Sequence, residues 1–241
     1  PGPRALPDGV SVYVGGTVFS GEMRVEAVQA LSAEIHVTYG ATEVGPISEA
    51  RCPGTDPADE TLGPPVAGVR VEAVDESDRP LPQGEVGRFR IRTPALAAGY
   101  LDDEALSAAS FRDGWFYSGD VGHVGADGYL HLAGRADDMM SLAGMNLFPQ
   151  EIETVIESYP GVVECAVFPF KSAVHGDIPM AAVSATDGVD LVALQAFCRE
   201  TLGIRAPRRL FRVAQLPRNP AGKVVRRDLA SLMDRGAGGE R

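Results

Sequence analysis

FRDGWFYSGDVGHVGADGYLHLAGRADDMMSLAGMNLFPQEIE, residues 111–153, is the stretch on which the reading of this chain turns. It sets an acidic loop, Tyr117-Ser118-Gly119-Asp120, ahead of a short hairpin, and a basic-acidic cluster, Arg135-Ala136-Asp137-Asp138, behind it. Gly122-His123-Val124 and Tyr129-Leu130-His131-Leu132 are apolar-rich runs separated by Ala126-Asp127-Gly128, and an Asp-Gly pair suits a tight strand reversal. Such a hairpin brings Asp120 and Arg135 toward one end of it. A carboxylate can accept from both hydroxyls of a ribose, and an arginine fork can hold hydroxyl and phosphate oxygens, so the pair is a candidate nucleotide clamp. In isolation, Gly-Asp is most often turn chemistry and an Arg beside two Asp is most often a solvated pair. The weight therefore falls on the flanking motifs.

Upstream, residues 11–14 read as a short strand and Gly15-Gly16-Thr17-Val18-Phe19-Ser20 as a loop entering a helix over about residues 22–31. Paired glycines let backbone approach a ligand closely, although their ordinary use is a tight turn. A second strand, residues 34–38, runs into Tyr39-Gly40-Ala41-Thr42-Glu43. There a ring can stack on a base, a hydroxyl can donate to phosphate, and a carboxylate can hold Mg²⁺. An isolated YGATE is more often an ordinary strand end with a surface glutamate. Residues 50–65, rich in Pro, Gly, Asp and Thr, read as an ordered surface loop. Residues 69–74 and 85–92 follow as strands, and the alternation in Arg88-Phe89-Arg90-Ile91-Arg92 predicts one wet face lined by solvated arginines. With the hairpin, these strands suggest a small antiparallel, barrel-like subdomain. A short helix begun by Asp102 or Asp103 leads into the central block.

Downstream, residues 139–144 read as a strand and turn, with Gly144 allowing close backbone approach. Phe148-Pro149-Gln150-Glu151-Ile152-Glu153 starts a helix with proline in its first turn, and its two glutamates suit the helix start without any catalytic role. Residues 162–169, 180–185 and 208–213 read as strands and residues 191–202 as an amphipathic helix, a compact α+β module. Lys223 in Asn219-Pro220-Ala221-Gly222-Lys223 sits on a glycine-containing loop from which a mobile cation can reach a cleft. Arg226 and Arg227, just after it, read as surface residues. The histidines His36, His123, His131 and His175 are scattered and indicate neither a metal site nor a base.

Composition bounds the alternatives. At 241 residues the chain holds one large domain or a medium and a small one, and 44% hydrophobic with 23% charged residues is globular. A formal net charge of -11 argues against general nucleic-acid or membrane-surface binding. Cys52, Cys165 and Cys198 are too few and too widely spaced for a disulfide framework or zinc motif, which suits a cytoplasmic location. No apolar run approaches membrane-spanning length.

Taken together and in order, Gly15-Gly16, Tyr39-Gly40-Ala41-Thr42-Glu43, Tyr117-Ser118-Gly119-Asp120, Gly134-Arg135-Ala136-Asp137, Phe148-Pro149-Gln150-Glu151-Ile152-Glu153 and Gly222-Lys223 resemble the adenylate-forming enzymes. These are acyl-CoA synthetases, luciferase-like ligases and the adenylation domains of peptide synthetases. The resemblance implies a fold mixing α/β and α+β: the C-terminal part of a large AMP-binding domain over residues 1–136, with its β-barrel-like subdomain, then a small mobile α+β domain over 137–241. It implies that Gly15 and Gly16 lie beside the adenine and acyl pocket, where Thr17, Val18 and Phe19 depart from the common wording. Tyr39 and Gly40 then pack on adenine, Thr42 meets phosphate, Glu43 supports the metal, Asp120 binds the ribose hydroxyls and Arg135 reinforces nucleotide binding. Asp137 falls at the family's hinge, Gly144 on the wall of the tunnel for the thiol, and Lys223 on the lysine serving adenylation.

The activity implied is ATP- and Mg²⁺-dependent conversion of a carboxylic acid to an acyl-adenylate, then thioester formation with CoA or a carrier-protein phosphopantetheine. Full-length relatives carry a Ser/Thr/Gly-rich phosphate loop ending in Lys-Gly upstream of the tyrosine motif, and nothing in these residues matches it. The chain is accordingly expected to be an incomplete portion, inactive alone and needing an N-terminal half, attached or separate. An amino-acid adenylation domain is the nearest rival, against which the wording around Gly144 and Lys223 tilts. A non-catalytic nucleotide-binding or assembly subunit is the other, and intact Glu43, Asp120, Arg135 and Lys223 count against it.

Overall fold

Alternating Ser11-Val12-Tyr13-Val14 forms β1 (Ser11–Gly15), and Ser20 then caps α1 (Gly21–Ala30) by accepting the Met23 N–H through its Oγ. The computed structural model describes residues 5–16, 19–53, 56, 60–172, 174–220 and 222–229. Thr17 and Val18 therefore lie outside the described residues. The chain divides between Ala136 and Asp137 into two compact units.

In the first unit, β2 (Glu34–Ala41) pairs parallel with β1 and antiparallel with β3 (Gly45–Cys52). The tyrosine-glycine motif is thus not a loop after a strand: Tyr39, Gly40 and Ala41 complete β2, and β3 takes the first part of the region expected to be loop. Alternation explains the extension, because Ile35 and Val37 on β2 and Cys52 on β3 are buried against Ala27 and Val28 of α1. The second sheet holds β4 (Arg70–Val74), β5 (Gly87–Arg92), β6 (Phe111–Arg112), β7 (Trp115–Val124) and β8 (Leu130–Arg135), with α2 (Glu104–Ser110) capped by Asp103 before β6. Its order is β4-β5-β7-β6, with β8 also pairing β7, all antiparallel. The expected barrel-like subdomain is therefore an open sheet among the described residues, because no pairing joins β4 to β6 or β8. Phe89, Ile91, Phe116 and Leu130 pack with Val44, Ile47 and Ala73 into its core.

The alternation gives the one wetter face expected, with Phe89 and Ile91 buried and Arg92 exposed, but its arginines are paired. Arg90 shares Glu72 with Arg70, Arg88 shares Asp78 with Arg112, and the Arg90 and Arg92 guanidinium groups lie 4.5 and 4.4 Å from the Trp115 ring centroid. Cation–π stacking and shared carboxylates tie the arginines to one another across that face. The predicted turn at Asp127-Gly128 is present: the Asp127 carboxylate accepts the Tyr129 N–H between β7 and β8.

The second unit begins with a hairpin of β9 (Met140–Leu142) and β10 (Met145–Leu147), turned by Ala143 and Gly144 at φ 49° and 85°. Two positive φ values match a type I′ hairpin turn. Then follow α3 (Pro149–Glu157), β11 (Val162–Ser172), β12 (Gly176–Ala185), α4 (Leu191–Leu202), a 3₁₀ turn (Gly203–Arg205) and β13 (Leu210–Arg212). The order β10-β9-β12-β11, with β13 parallel to β12, gives one mixed sheet. Period-two alternation covers both faces. Cys165, Val167, Ala181 and Val183 pack on Ile152 and Ile156 of α3 and Leu194 and Cys198 of α4, while Ala166, Phe168, Met180 and Ala182 meet Leu216 and Leu229 on the other side. The three cysteines are buried free thiols. No helix among the described residues is long and apolar enough to cross a membrane.

Candidate nucleotide site

The clamp forms because β7 and β8 place Asp120 directly opposite Arg135 in register, while the end of β2 brings in a tyrosine from 81 residues earlier. Tyr39 donates its phenol O–H to Asp120 Oδ2. Arg135 Nη1 donates to Asp120 Oδ1 at 3.2 Å and to the Ser118 carbonyl at 2.8 Å. The Ser118 to Asp120 segment, expected as a loop, is inside β7, and its glycine is required: Gly119 has φ +76°, and a Cβ there would lie 2.9 Å from the Arg135 guanidinium. Asp120 is 9% exposed, yet an ionised carboxylate has about four lone-pair sites, so room remains for two further donors. Burial, and then the Asp120 charge, push the Tyr39 phenol well above the ordinary tyrosine range. At neutral pH it stays protonated and keeps donating.

Tyr39 lines an open cleft of about 290 Å³ whose walls also include Gly15, Gly16, Gly40 and Thr42. The close approach at Gly15 is to protein: a Cβ there would fall 2.5 Å from Thr38 Oγ1, so a side chain at that position would drive β1 from β2, whereas a Cβ on Gly16 would meet nothing within 4 Å. Thr42 is exposed in the turn between β2 and β3. Beside it, Glu43 accepts the Tyr100 O–H through Oε1 at 2.7 Å, and its own carbonyl accepts the Ala97 N–H at 2.8 Å. Tyr100 is steadied by an edge contact with Phe111, ring centroids 5.4 Å apart. Its phenol is raised by burial and then by the Glu43 carboxylate.

Gly144, Lys223 and Asp137 belong to the second unit. Gly144 is at the tip of the β9–β10 hairpin. Lys223 is exposed, but its backbone is held: its N–H donates to Asn219 Oδ1 at 2.9 Å and its carbonyl accepts the Asn219 N–H at 2.9 Å. Arg218 donates to the Gly222 carbonyl at 2.7 Å and pairs with Glu164 on β11. Arg226, read as a surface residue, is instead partly enclosed: Nη2 meets both Glu153 carboxylate oxygens at 2.9 Å, Nη1 meets Asp138 Oδ2 at 3.2 Å and Nε meets the Val167 carbonyl at 3.2 Å. Arg227, with 88% of its side chain exposed, is the surface residue expected.

The model of the AMP-binding enzyme family matches residues 4–101, and that of the AMP-binding enzyme C-terminal domain matches residues 151–223. The chain belongs to the AMP-binding, adenylate-forming enzyme family. Within that family it is 34% identical over 226 residues to the fatty acid–acyl-carrier-protein ligase ScoC of Streptomyces coeruleorubidus, covering 91% of this chain and 43% of that one. It is 32% identical over 213 residues to the 2-succinylbenzoate–CoA ligase of Geobacillus kaustophilus, covering 87% and 43%. The structure of the amide bond synthetase McbA from Marinactinospora thermotolerans superposes with a TM-score of 0.84 at 30% identity, over 92% of this chain and 46% of that one. The chain spans less than half the length of these relatives.

Sequence reasoning missed Tyr100 as the partner of Glu43, 57 residues away, and Arg226 as the partner of Glu153, 73 residues away. No local pattern links residues that far apart. A weak signal existed for Glu153, whose place at i+1 from Ile152 sets it at the edge of the apolar face of α3.

Proposed function

We propose that the chain is the nucleotide-binding and lysine-bearing portion of an acid:thiol ligase that activates a carboxylic acid with ATP. A carboxylate oxygen attacks the α-phosphorus, and the bond to the β-phosphate breaks, giving acyl-adenylate and pyrophosphate. The sulfur of CoA or of a carrier-protein phosphopantetheine then attacks the acyl carbon, AMP leaves with the C–O electron pair, and the thiol proton passes to solvent. The observation that carries the reading is the Tyr39–Asp120–Arg135 clamp beside a glycine-walled cleft.

In this reading Asp120 accepts the ribose hydroxyls, Arg135 steadies it, and Tyr39, Gly40, Gly15 and Gly16 form the base platform. Thr42 donates to phosphate. Among the described residues no three His, Cys, Asp or Glu gather into a metal cage. Mg²⁺ typically takes one or two carboxylates plus substrate phosphates, so the single carboxylate of Glu43, with Oε1 oriented by Tyr100, fits it. The ion would offset negative charge on the phosphate oxygens. Lys223 neutralises charge building at the α-phosphate, Asp137 acts as the hinge of a mobile second unit, and Gly144 lets a pantetheine thiol pass close to backbone. A cytoplasmic location and an N-terminal half, in the same or another chain, complete the proposal. Likeness to an amide bond synthetase supports a second reading in which an amine, not a thiol, takes the acyl group.

The test is carboxylate-dependent pyrophosphate release across fatty, aromatic and amino acids, with thiols and amines as acceptors, in the complete enzyme and its Lys223→Ala variant. Release that survives the substitution unchanged removes the lysine from the mechanism. AMP binding with no release for any acid favours a non-catalytic subunit.

A further inference from the structure

Arg226 lies three residues beyond Lys223 and is tied to three separate elements of the second unit. Its guanidinium grips both oxygens of Glu153 on α3, the Val167 carbonyl on β11 and Asp138, the residue after the candidate hinge. Glu153 is 8% exposed and accepts the Val167 N–H at 2.7 Å, so helix, strand and arginine meet on one carboxylate. Burial pushes the Glu153 carboxyl upward, and Arg226 together with the Val167 N–H opposes it. Neither group belongs to the hydrophobic core.

We propose that Arg226 is the positioning residue for Lys223: it pins the chain three residues beyond the lysine, and Asp138 with it, to the α3–β11 layer, so that the lysine is carried as a fixed part of the second unit. This deepens the function proposed above and rests on it. The chemistry asks for such an anchor. A lysine side chain has several rotatable bonds and gains little from a tight turn unless its backbone is stationary. The asymmetry of the two clamps supports the assignment. Arg218 bonds the loop itself, through the Gly222 carbonyl, and ties it to Glu164, whereas Arg226 anchors the chain just after the loop to Glu153. Arg226 also fastens Asp138, so the hinge-proximal segment and the α3–β11 layer share one guanidinium.

The prediction separates positioning from general structure. Arg226→Lys keeps a cation against Glu153 but has a single donor centre, which cannot hold Glu153, Val167 and Asp138 together. In the complete enzyme it lowers carboxylate-dependent pyrophosphate release roughly 10- to 100-fold, the scale expected when a reacting group is slightly misplaced. Thiolysis of a presynthesised acyl-adenylate, which does not use Lys223, changes less than about threefold. Hydrogen exchange provides a readout independent of turnover: the amides of Gly222, Lys223 and Val225, bonded within the loop, exchange faster in the variant. Unaltered adenylate formation in Arg226→Lys, or equal losses in both half-reactions, overturns the inference. Lys223→Ala run alongside tells the two failures apart. If it abolishes release while Arg226→Lys does not, only the positioning role falls; if it leaves release intact, the role assigned to the lysine falls and takes the inference with it.

Discussion

Replacing Asp120 by Asn tests the clamp with almost no change in shape. In the native protein one carboxylate oxygen accepts from Tyr39 and the other from Arg135. An amide offers only one acceptor oxygen, and arginine cannot accept, so the oxygen must face Arg135 and the NH₂ must face Tyr39, whose hydroxyl then turns to accept. Two charge-assisted bonds become neutral ones or ion–dipole ones. The Tyr39 bond is enclosed and loses about 1 to 1.5 kcal/mol. Arg135 has 48% of its side chain exposed, so its share is screened to about 0.5 kcal/mol. The sum, about 2 kcal/mol, predicts a fall in melting temperature of about 4–8 °C. AMP binding suffers separately, because the ribose hydroxyls lose an ionised acceptor, and affinity falls about 10- to 100-fold at 1.4 kcal/mol per decade.

Calorimetric titration with AMP reads the second effect, and a spectrophotometric pH titration at the phenolate band gives an independent check on the first. Because the Asp120 charge helps to hold the Tyr39 phenol up, Tyr39 should ionise at lower pH in the variant than in the native protein. An unshifted phenol together with native AMP affinity would refute both the electrostatic coupling and the ribose assignment.

Tyr100→Phe removes the hydroxyl that orients Glu43, and the Mg²⁺ concentration giving half-maximal adenylate formation should rise several-fold, about 3- to 10-fold, with little change in melting; a native Mg²⁺ dependence counts against Glu43 as the metal carboxylate. Glu157, raised by burial and accepting only a modest counterweight from the Cys165 N–H, has a folded pKa above its unfolded one, so its contribution is present below about pH 4.5 and is lost as pH rises through the folded value. Glu157→Gln should therefore melt about 1–3 °C above the native protein at pH 7.5 and level with it at pH 4, as thermal scans at the two pH values will show. Ala143→Asn, placing a residue tolerant of positive φ beside Gly144, should raise stability by about 0.5–1 kcal/mol in urea denaturation; a loss would mean that the hairpin turn is not type I′.

Much of the fold was legible locally. Period-two alternation in Ser11–Val14, Arg88–Arg92 and the strands of the second unit, the Asp-Gly turn, and the Asp103 and Pro149 helix starts all depend on neighbours within a few residues. The limits of β2, β3 and β7 were not legible, because glycine-containing segments such as Tyr39-Gly40-Ala41 and Ser118-Gly119-Asp120 have weak strand propensity, and their place in a strand depends on distant pairings such as Gly40 with Pro46 and Asp120 with Arg135. The open edge of the second sheet is likewise a matter of pairing, which no single strand encodes.

By itself, then, the sequence determined the order of the motifs, the family they resemble and the residue types able to hold a nucleotide. Only the tertiary structure decided what those residues do to one another. Tyr39 donates to Asp120, Tyr100 orients Glu43, and Arg226 is drawn in from the surface by Glu153 and Asp138. Each of these contacts joins residues 57 or more positions apart, and each depends on burial, which makes an unpaired charge or hydroxyl costly and so selects its partner. Spacing along the chain carries no record of that cost.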